Sequence, residues 1–222
     1  MLLLLVMCHI LINMAEGIPM YVTPNITTKQ CPGTPCLELN TYVHNASSYF
    51  LSDAEFIFLP GTHFLDSHIV IDSKENLQMI GSPNLTQNPI SVKVLEYGFG
   101  SYDEDNTVTY LESSTYITCT TYNHTGFIFV NITNLTIANI TFTNCGVYYN
   151  LTDQSASILA INIHNLLMEG VSIQNGTGYG FLGVNLLGQG QIIKSSFIGN
   201  NQFIKNGLHI TRTTGFDCNG KA

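Results

Sequence analysis

Two kinds of residue in this chain could do chemistry: carboxylates and histidines close together in sequence, and cysteines and asparagines in modification motifs. The densest acidic run is Asp103, Glu104 and Asp105. Consecutive carboxylates offer oxygens to calcium. The run lacks the spaced, glycine-interrupted ligand order of an EF-hand loop, however, and a solvated acidic turn is the simpler reading. Asp66, His68 and Asp72 form a second cluster, although aspartate at a strand end more commonly makes a turn. His63 and His68 do not share a ligand spacing, and the seven histidines are dispersed. The chain carries no serine nucleophile elbow, phosphate loop or HExxH. The sequence therefore assigns no catalytic residue, no metal ligand and no cofactor.

Asparagine is the more telling residue. Asn25, Asn45, Asn84, Asn123, Asn131, Asn134, Asn139, Asn150 and Asn175 all stand in Asn-X-Ser/Thr with X not proline, which makes each an N-glycosylation candidate in an exported chain. The first residues, "MLLLLVMCHILINMAEGIP", support export: an apolar run from Leu2 to Ile12 gives way to small residues, with Ala15 and Gly17 as a small-x-small cleavage pattern. The n-region lacks Lys and Arg. The organisation expected is a signal peptide over 1–17, a disulfide-containing lead-in over 18–55, and the main domain over 56–222. No later apolar run has the ~18 residues of a transmembrane helix. Net charge is −8, and the seven Lys and Arg are scattered. A phosphate backbone would need a basic stripe, so nucleic acid is excluded as a partner.

Cysteine usage agrees with an oxidising compartment. Cys8 falls in the leader; Cys31 and Cys36, in "CPGTPC", suit a small disulfide loop. Zinc would need further Cys or His at ligand spacing. Cys218 is left over, as a free thiol or the partner of a cysteine elsewhere.

The elements that would position these residues show in the patterning. Leu37, Leu39, Tyr42, Val43 and Phe50 have helical spacing and predict a short helix. Phe56 to Leu59 reads as a strand ended by Pro60-Gly61, and "HIVIDS" and "ENLQMIGS" as two more. Residues 83–115 read as a loop excursion with strands near Ser91–Leu95 and Val108–Leu111. From about residue 116 the chain repeats: "NLTIANITFTN", "NLLMEGVSIQN" and "GQIIKSSFIGN" place Phe142, Ile173 and Phe197 in corresponding positions. The period within each phrase is two, not 3.6, and β-branched and aromatic residues dominate. A β-sandwich is the rival, but Asn-Gly hairpin signals are few, "KNGL" at 205 being the main one.

The fold expected is all-β: a right-handed parallel β-helix solenoid with a short N-terminal helical segment. Phe127, Phe129, Leu135, Ile137, Ile140 and Phe142 should point in, and Thr133, Thr136 and Thr141 out. Asn should occupy the corners, where it tolerates the left-handed conformation and its amide can bond the backbone of the next layer. Cys119 and Cys145, 26 residues apart, would then lie one layer apart, within the Cα separation of a disulfide.

The phrases "GFIFVNITNLTIANITFTNCG", "CPGTPCLELNTYV" and "FIFLPGTHFLDSHIVIDSKENLQMIGS" resemble the secreted right-handed β-helix proteins of sponges and cnidarians. "FIGN" and "FIKN" are similar to the Phe-x-x-Asn phrase of polymorphic outer-membrane proteins, though its companion Gly-Gly-Ala-Ile is absent. The resemblance implies a pectin-lyase-like fold without its chemistry. It also implies longer chains, so a fragment or incomplete gene product is expected. The function expected is a secreted or surface-associated glycoprotein module with an extracellular binding, adhesive or structural role. Its partners would be glycans or extracellular proteins, met through exposed Thr, Asn and Tyr, including Tyr148 and Tyr149. The alternative is a carbohydrate-active enzyme, a polysaccharide lyase or glycoside hydrolase, which would bring carboxylates and a Lys or Arg into one cleft.

Overall fold

The structure, a computed structural model, describes residues 18–24, 31–44, 52–82, 90–93, 107–110, 113–120, 123–124, 126–147, 156–176, 178–198 and 208–211. These are all-β apart from one short helix. Strands β1 (Ile18–Thr23) and β2 (Cys36–Glu38) precede helix α1 (Leu39–His44). Then come β3 (Ala54–Phe58), β4 (Gly61–Leu65), β5 (Ile69–Asp72) and β6 (Glu75–Gly81). Strands β7 (Ile90–Lys93) and β8 (Thr107–Tyr110) pair antiparallel with each other. The regular region begins with β9 (Thr115–Cys119), β10 (Asn123–His124), β11 (Phe127–Val130), β12 (Thr133–Ala138), β13 (Thr141–Thr143) and β14 (Gly146–Val147). It continues through β15 (Ala156–Ile161), β16 (His164–Glu169), β17 (Ser172–Gln174), β18 (Tyr179–Val184), β19 (Leu187–Ile193), β20 (Ser196–Ile198) and β21 (Leu208–Thr211).

Three parallel sheets dominate. Sheet I runs β19-β16-β12-β6-β3-β1-β2, sheet II β20-β17-β13-β9-β4, and sheet III β21-β18-β15-β11-β5. The triplets β11-β12-β13, β15-β16-β17 and β18-β19-β20 each give one strand to sheet III, then I, then II. Each strand pairs with its counterpart in the next triplet, so like residues align. Phe142 pairs with Ile173, and Ile173 with Phe197.

Period-two patterning puts alternate side chains on one face. Strands β3 and β9 alternate buried with half-buried residues along their length. The buried faces of all three sheets meet in one hydrophobic cluster. Phe127 stacks on Phe129 and meets Phe142 edge-on, with both centroid separations 5.8 Å. Each such side chain contributes about 1.5–3 kcal/mol by leaving water. Volumes compensate along a row: Phe129 pairs with Ala160, and Ala160 with Gly183.

Two corners of every triplet are two residues long, and they share a formula. Between sheets III and I stand Asn131-Ile132, Asn162-Ile163 and Asn185-Leu186; between I and II stand Asn139-Ile140, Gly170-Val171 and Lys194-Ser195. The first residue of each pair has φ between 50° and 65°, for example 53° at Asn131 and 61° at Gly170. The second is buried, from 0 % exposed at Ile163 to 7 % at Ser195. The left-handed residue reverses the chain, which suits Asn and Gly, and its neighbour plugs the bend. The backbone N–H of the left-handed residue then donates to the next strand's last carbonyl, as from Asn131 to Ile161 at 2.9 Å.

Several expectations need adjustment. The strand expected over Phe56–Leu59 is β3, which starts earlier. Pro60-Gly61 does not close a strand into a loop; Gly61, at φ 127°, opens β4. Residues 18–23, taken as lead-in, form β1 inside sheet I between β3 and β2. Leu37 lies in β2 rather than in the helix, which is described only to His44. Leu39 and Tyr42 are its buried residues, and the Tyr42 hydroxyl donates to the carbonyl of Tyr21 at 2.9 Å. Residues 1–17, 45–51, 205–207 and 212–222, with Cys8 and Cys218, lie outside the described residues.

Candidate functional site

Asparagines at the III–I corners, and those at the second position of the sheet I strands that follow, assemble into two columns. Asn185 Nδ2 donates to Asn162 Oδ1 at 2.7 Å, Asn162 Nδ2 to Asn131 Oδ1 at 2.9 Å, and Asn131 Nδ2 to Asp72 Oδ1 at 3.0 Å. A second column runs from Asn165 to Asn134 at 2.7 Å, Asn134 to Asn76 at 2.7 Å, and Asn76 to Asp53 at 2.6 Å. These bonds are side chain to side chain. In these columns an amide-to-backbone bond is seen where Gln189 N–H donates to Asn165 Oδ1 at 2.9 Å. That rung lies at an irregularity in register between β16 and β19, where Gly188 stands against the Asn165 amide.

The other sequence candidates fall as follows. Cys119 is bonded to Cys145 with 5.0 Å between Cα atoms, and Cys31 to Cys36 with 6.1 Å. Asn131, Asn134 and Asn175 are exposed and Asn139 half-buried, all four left-handed. The backbone of Asn123 lies in β10, paired with β14. Asn25, Asn45, Asn84, Asn150, the Asp103–Asp105 run, Tyr148 and Tyr149 lie outside the described residues. Asp66, His68 and Asp72 have separate surroundings: Asp66 N–H is accepted by Asn40, Asp72 ends β5 and accepts from Ser73 and Asn131, and His68 is exposed. Among the described residues no three His, Cys, Asp or Glu are grouped to hold a metal ion.

His63 points the other way from His68. It occupies the inward place on β4, at 1 % exposure, aligned with Ile117. Its Nε2–H donates to the Leu59 carbonyl at 2.8 Å, and its ring meets Phe58 edge-on at 5.3 Å. Burial pushes its pKa below the ordinary 6.5, against the opposing pull of the Leu59 carbonyl.

The outward face of sheet II is the region whose chemistry is most concentrated. Register lines up Thr62, Tyr116, Thr141, Ser172 and Ser196 in one row, and Phe64, Thr118, Thr143, Gln174 and Ile198 in the next. Hydroxyls are tied across strands: Thr118 to Thr143 at 2.8 Å, and Ser196 to Ser172 at 2.9 Å. Gln174 Nε2 donates to Ser172 at 2.8 Å. The second row ends in exposed apolar groups, Phe64 at 53 % and Ile198 at 55 %. A cavity of about 220 Å³ opens on this face, lined among others by Ser113, Tyr116, Thr141, Ser172 and Lys194. Thr141 is outward as expected but only 4 % exposed, because it sits in this cavity's wall. Lys194 Nζ is held 3.0 Å from Glu169 Oε1, and both side chains are substantially exposed. The described lining contains that one cation and no carboxylate.

Sequence reading missed this face because its rows draw one residue each from strands between positions 61 and 198. Compared with protein-family models, curated proteins and solved structures, the chain matches none of them. No described helix is long and apolar enough to cross a membrane.

Proposed function

We propose that the three sheets are the walls of a right-handed parallel β-helix solenoid of the pectin-lyase-like kind. We further propose that the chain is a secreted or surface-associated glycoprotein module that binds extracellular glycans through sheet II. The winding is supported by the repeated III-I-II order of the triplets. Handedness follows from the general rule that parallel strands are connected right-handedly. Export is supported by the apolar leader and by two disulfides, which persist in oxidising compartments.

The observation that carries the binding reading is the composition of the sheet II rows. Aromatic faces at Phe64 and Tyr116 stand diagonally on adjacent strands, with neutral hydroxyls and an amide repeating beyond them. A sugar presents apolar C–H faces and equatorial hydroxyls, and it is met by such a combination of ring and neutral hydrogen-bonding groups. A glycosidase would need a carboxyl pair across the cleft.

The test is binding of the secreted full chain to immobilised polysaccharides. Binding should be weakened about tenfold by Phe64→Ala and by Tyr116→Ala, the effect of losing about 1.4 kcal/mol of ring contact. Wild-type binding that both substitutions leave intact would remove sheet II from the reading. Cleavage of a polyuronate, with or without calcium, would replace it with the enzyme.

A further inference from the structure

The two amide columns, each of three asparagines ending on an aspartate, share one property of sequence. In the first, only Asn131 begins a sequon; Asn162-Ile-His and Asn185-Leu-Leu do not. In the second, only Asn134 does; Asn76-Leu-Gln and Asn165-Leu-Leu do not. Both sequon rungs are exposed, and they lie three residues apart, Asn131 at the III–I corner and Asn134 at the start of β12. We propose that this corner is a site of N-glycosylation, and that the columns close around the attached sugar rather than excluding it. The inference rests on the secretion reading above, and goes beyond it by choosing among the sequons.

The geometry of a planar amide carries the argument. Each rung accepts at Oδ1 from one side and donates from Nδ2 to the other: Asn131 accepts from Asn162 and donates to Asp72, and Asn134 accepts from Asn165 and donates to Asn76. A primary amide has two N–H groups. The one lying opposite its own carbonyl points down the column and makes the bond. The other points away from Cβ, outward, and the column does not need it. A glycosylated asparagine keeps the first hydrogen and replaces the second. Transfer from a polyprenyl-diphosphate-linked oligosaccharide forms the Nδ2–C1 bond, breaks the C1–phosphate bond, releases the lipid diphosphate, and gives one Nδ2 proton to a base of the transferase. Every column bond then survives.

Spacing sets the remaining condition. Rungs are one strand apart, about 4.8 Å, too close for two stacked sugars. The absence of sequons from the rungs directly above and below meets that condition in both columns. Asn139 differs: its side chain lies against Gly170 instead of in an amide column, and its sequon threonine, Thr141, is buried.

The experiment expresses the full chain through the secretory pathway of a glycosylating eukaryotic cell and maps every sequon in the folded, secreted fraction by mass spectrometry after enzymatic deglycosylation in heavy-oxygen water. A label at Asn131 or Asn134 is the expected result. Thr133→Ala and Thr136→Ala abolish the two sequons while leaving both asparagine rungs in place. Together they should remove that glycan mass, and the variant should unfold at the midpoint of wild-type protein trimmed by an endoglycosidase to a single N-linked sugar, which leaves each asparagine amide and its column bond in place. Labels at other sequons, with Asn131 and Asn134 both bare, would overturn the inference and leave secretion standing. A chain retained in the cytosol, with no sequon modified, would overturn both.

Discussion

The two-residue corners and the third corner of the same triplets obey different rules. Between sheets III and I, and between I and II, the link in every triplet is two residues: one left-handed, one buried. Between sheet II and the next strand of sheet III the link is residues 144–155 after β13, 175–178 after β17, and 199–207 after β20. The constrained corners hold register through buried plugs, joined at the III–I corners by an amide column. The free corner absorbs the large changes in repeat length, and the one extra residue of β19 is taken up at its register irregularity against β16. Alignment of Phe142, Ile173 and Phe197 survives spacings of 31 and 24 residues for this reason.

The sharpest break of that contrast is insertional. Two glycines placed between Asn162 and Ile163 should displace the plug and shift every following side chain. The expected cost is on the order of 5 kcal/mol or more, the whole stability of a typical domain, and is read as loss of a cooperative unfolding transition. The same insertion between Tyr149 and Asn150, in the free corner, should cost less than about 0.6 kcal/mol.

The disulfide beside the free corner comes next. Cys119→Ser with Cys145→Ser opens a loop of 26 residues and should lower stability by about 3 kcal/mol in denaturant titration. Asn162→Ala removes a middle rung, with a bond on either side and a residue suited to φ 54°. About 1–2 kcal/mol should be lost, and Asn162→Gly should recover part by restoring the backbone preference alone.

The smallest effect concerns His63. Because burial favours its neutral ring in the folded protein, the unfolded chain takes up the proton first as pH falls. Stability is therefore full above 6.5 and declines below it, down through the depressed folded pKa, by up to about 1.4 kcal/mol per pH unit. His63→Phe should flatten that slope in melts taken between neutral and mildly acidic pH. An unchanged slope would assign the acid sensitivity elsewhere.

The sequence made the constrained corners legible and the free one opaque, for physical reasons. A left-handed bend followed by an inward residue leaves a local signature, Asn then Ile or Leu, at four of the six corners, and alternation fixes which neighbours are buried. Strand β4 was hidden because Pro60-Gly61 looks like an ending, and only pairing with β9 makes the glycine a beginning. Strand β1 carries Pro19 and becomes a strand through β2 and β3 on either side. The sheet II face was hidden for a third reason. Phe64 and Gln174 share a row through three intervening register choices, and none is encoded near either residue.

The amide columns also have a direction. All the nitrogens point toward the earlier triplets and all the oxygens toward the later ones, so the group dipoles add as peptide dipoles do along a helix. At the positive end each column begins on an aspartate, Asp72 in one and Asp53 in the other. An ionised carboxylate only accepts, so it both starts the chain of donors and places negative charge where the summed dipole favours it. The first column thus extends one way only, after the Asn185 oxygen and not ahead of the acid, whereas the Gln189 N–H already closes the second at the Asn165 oxygen.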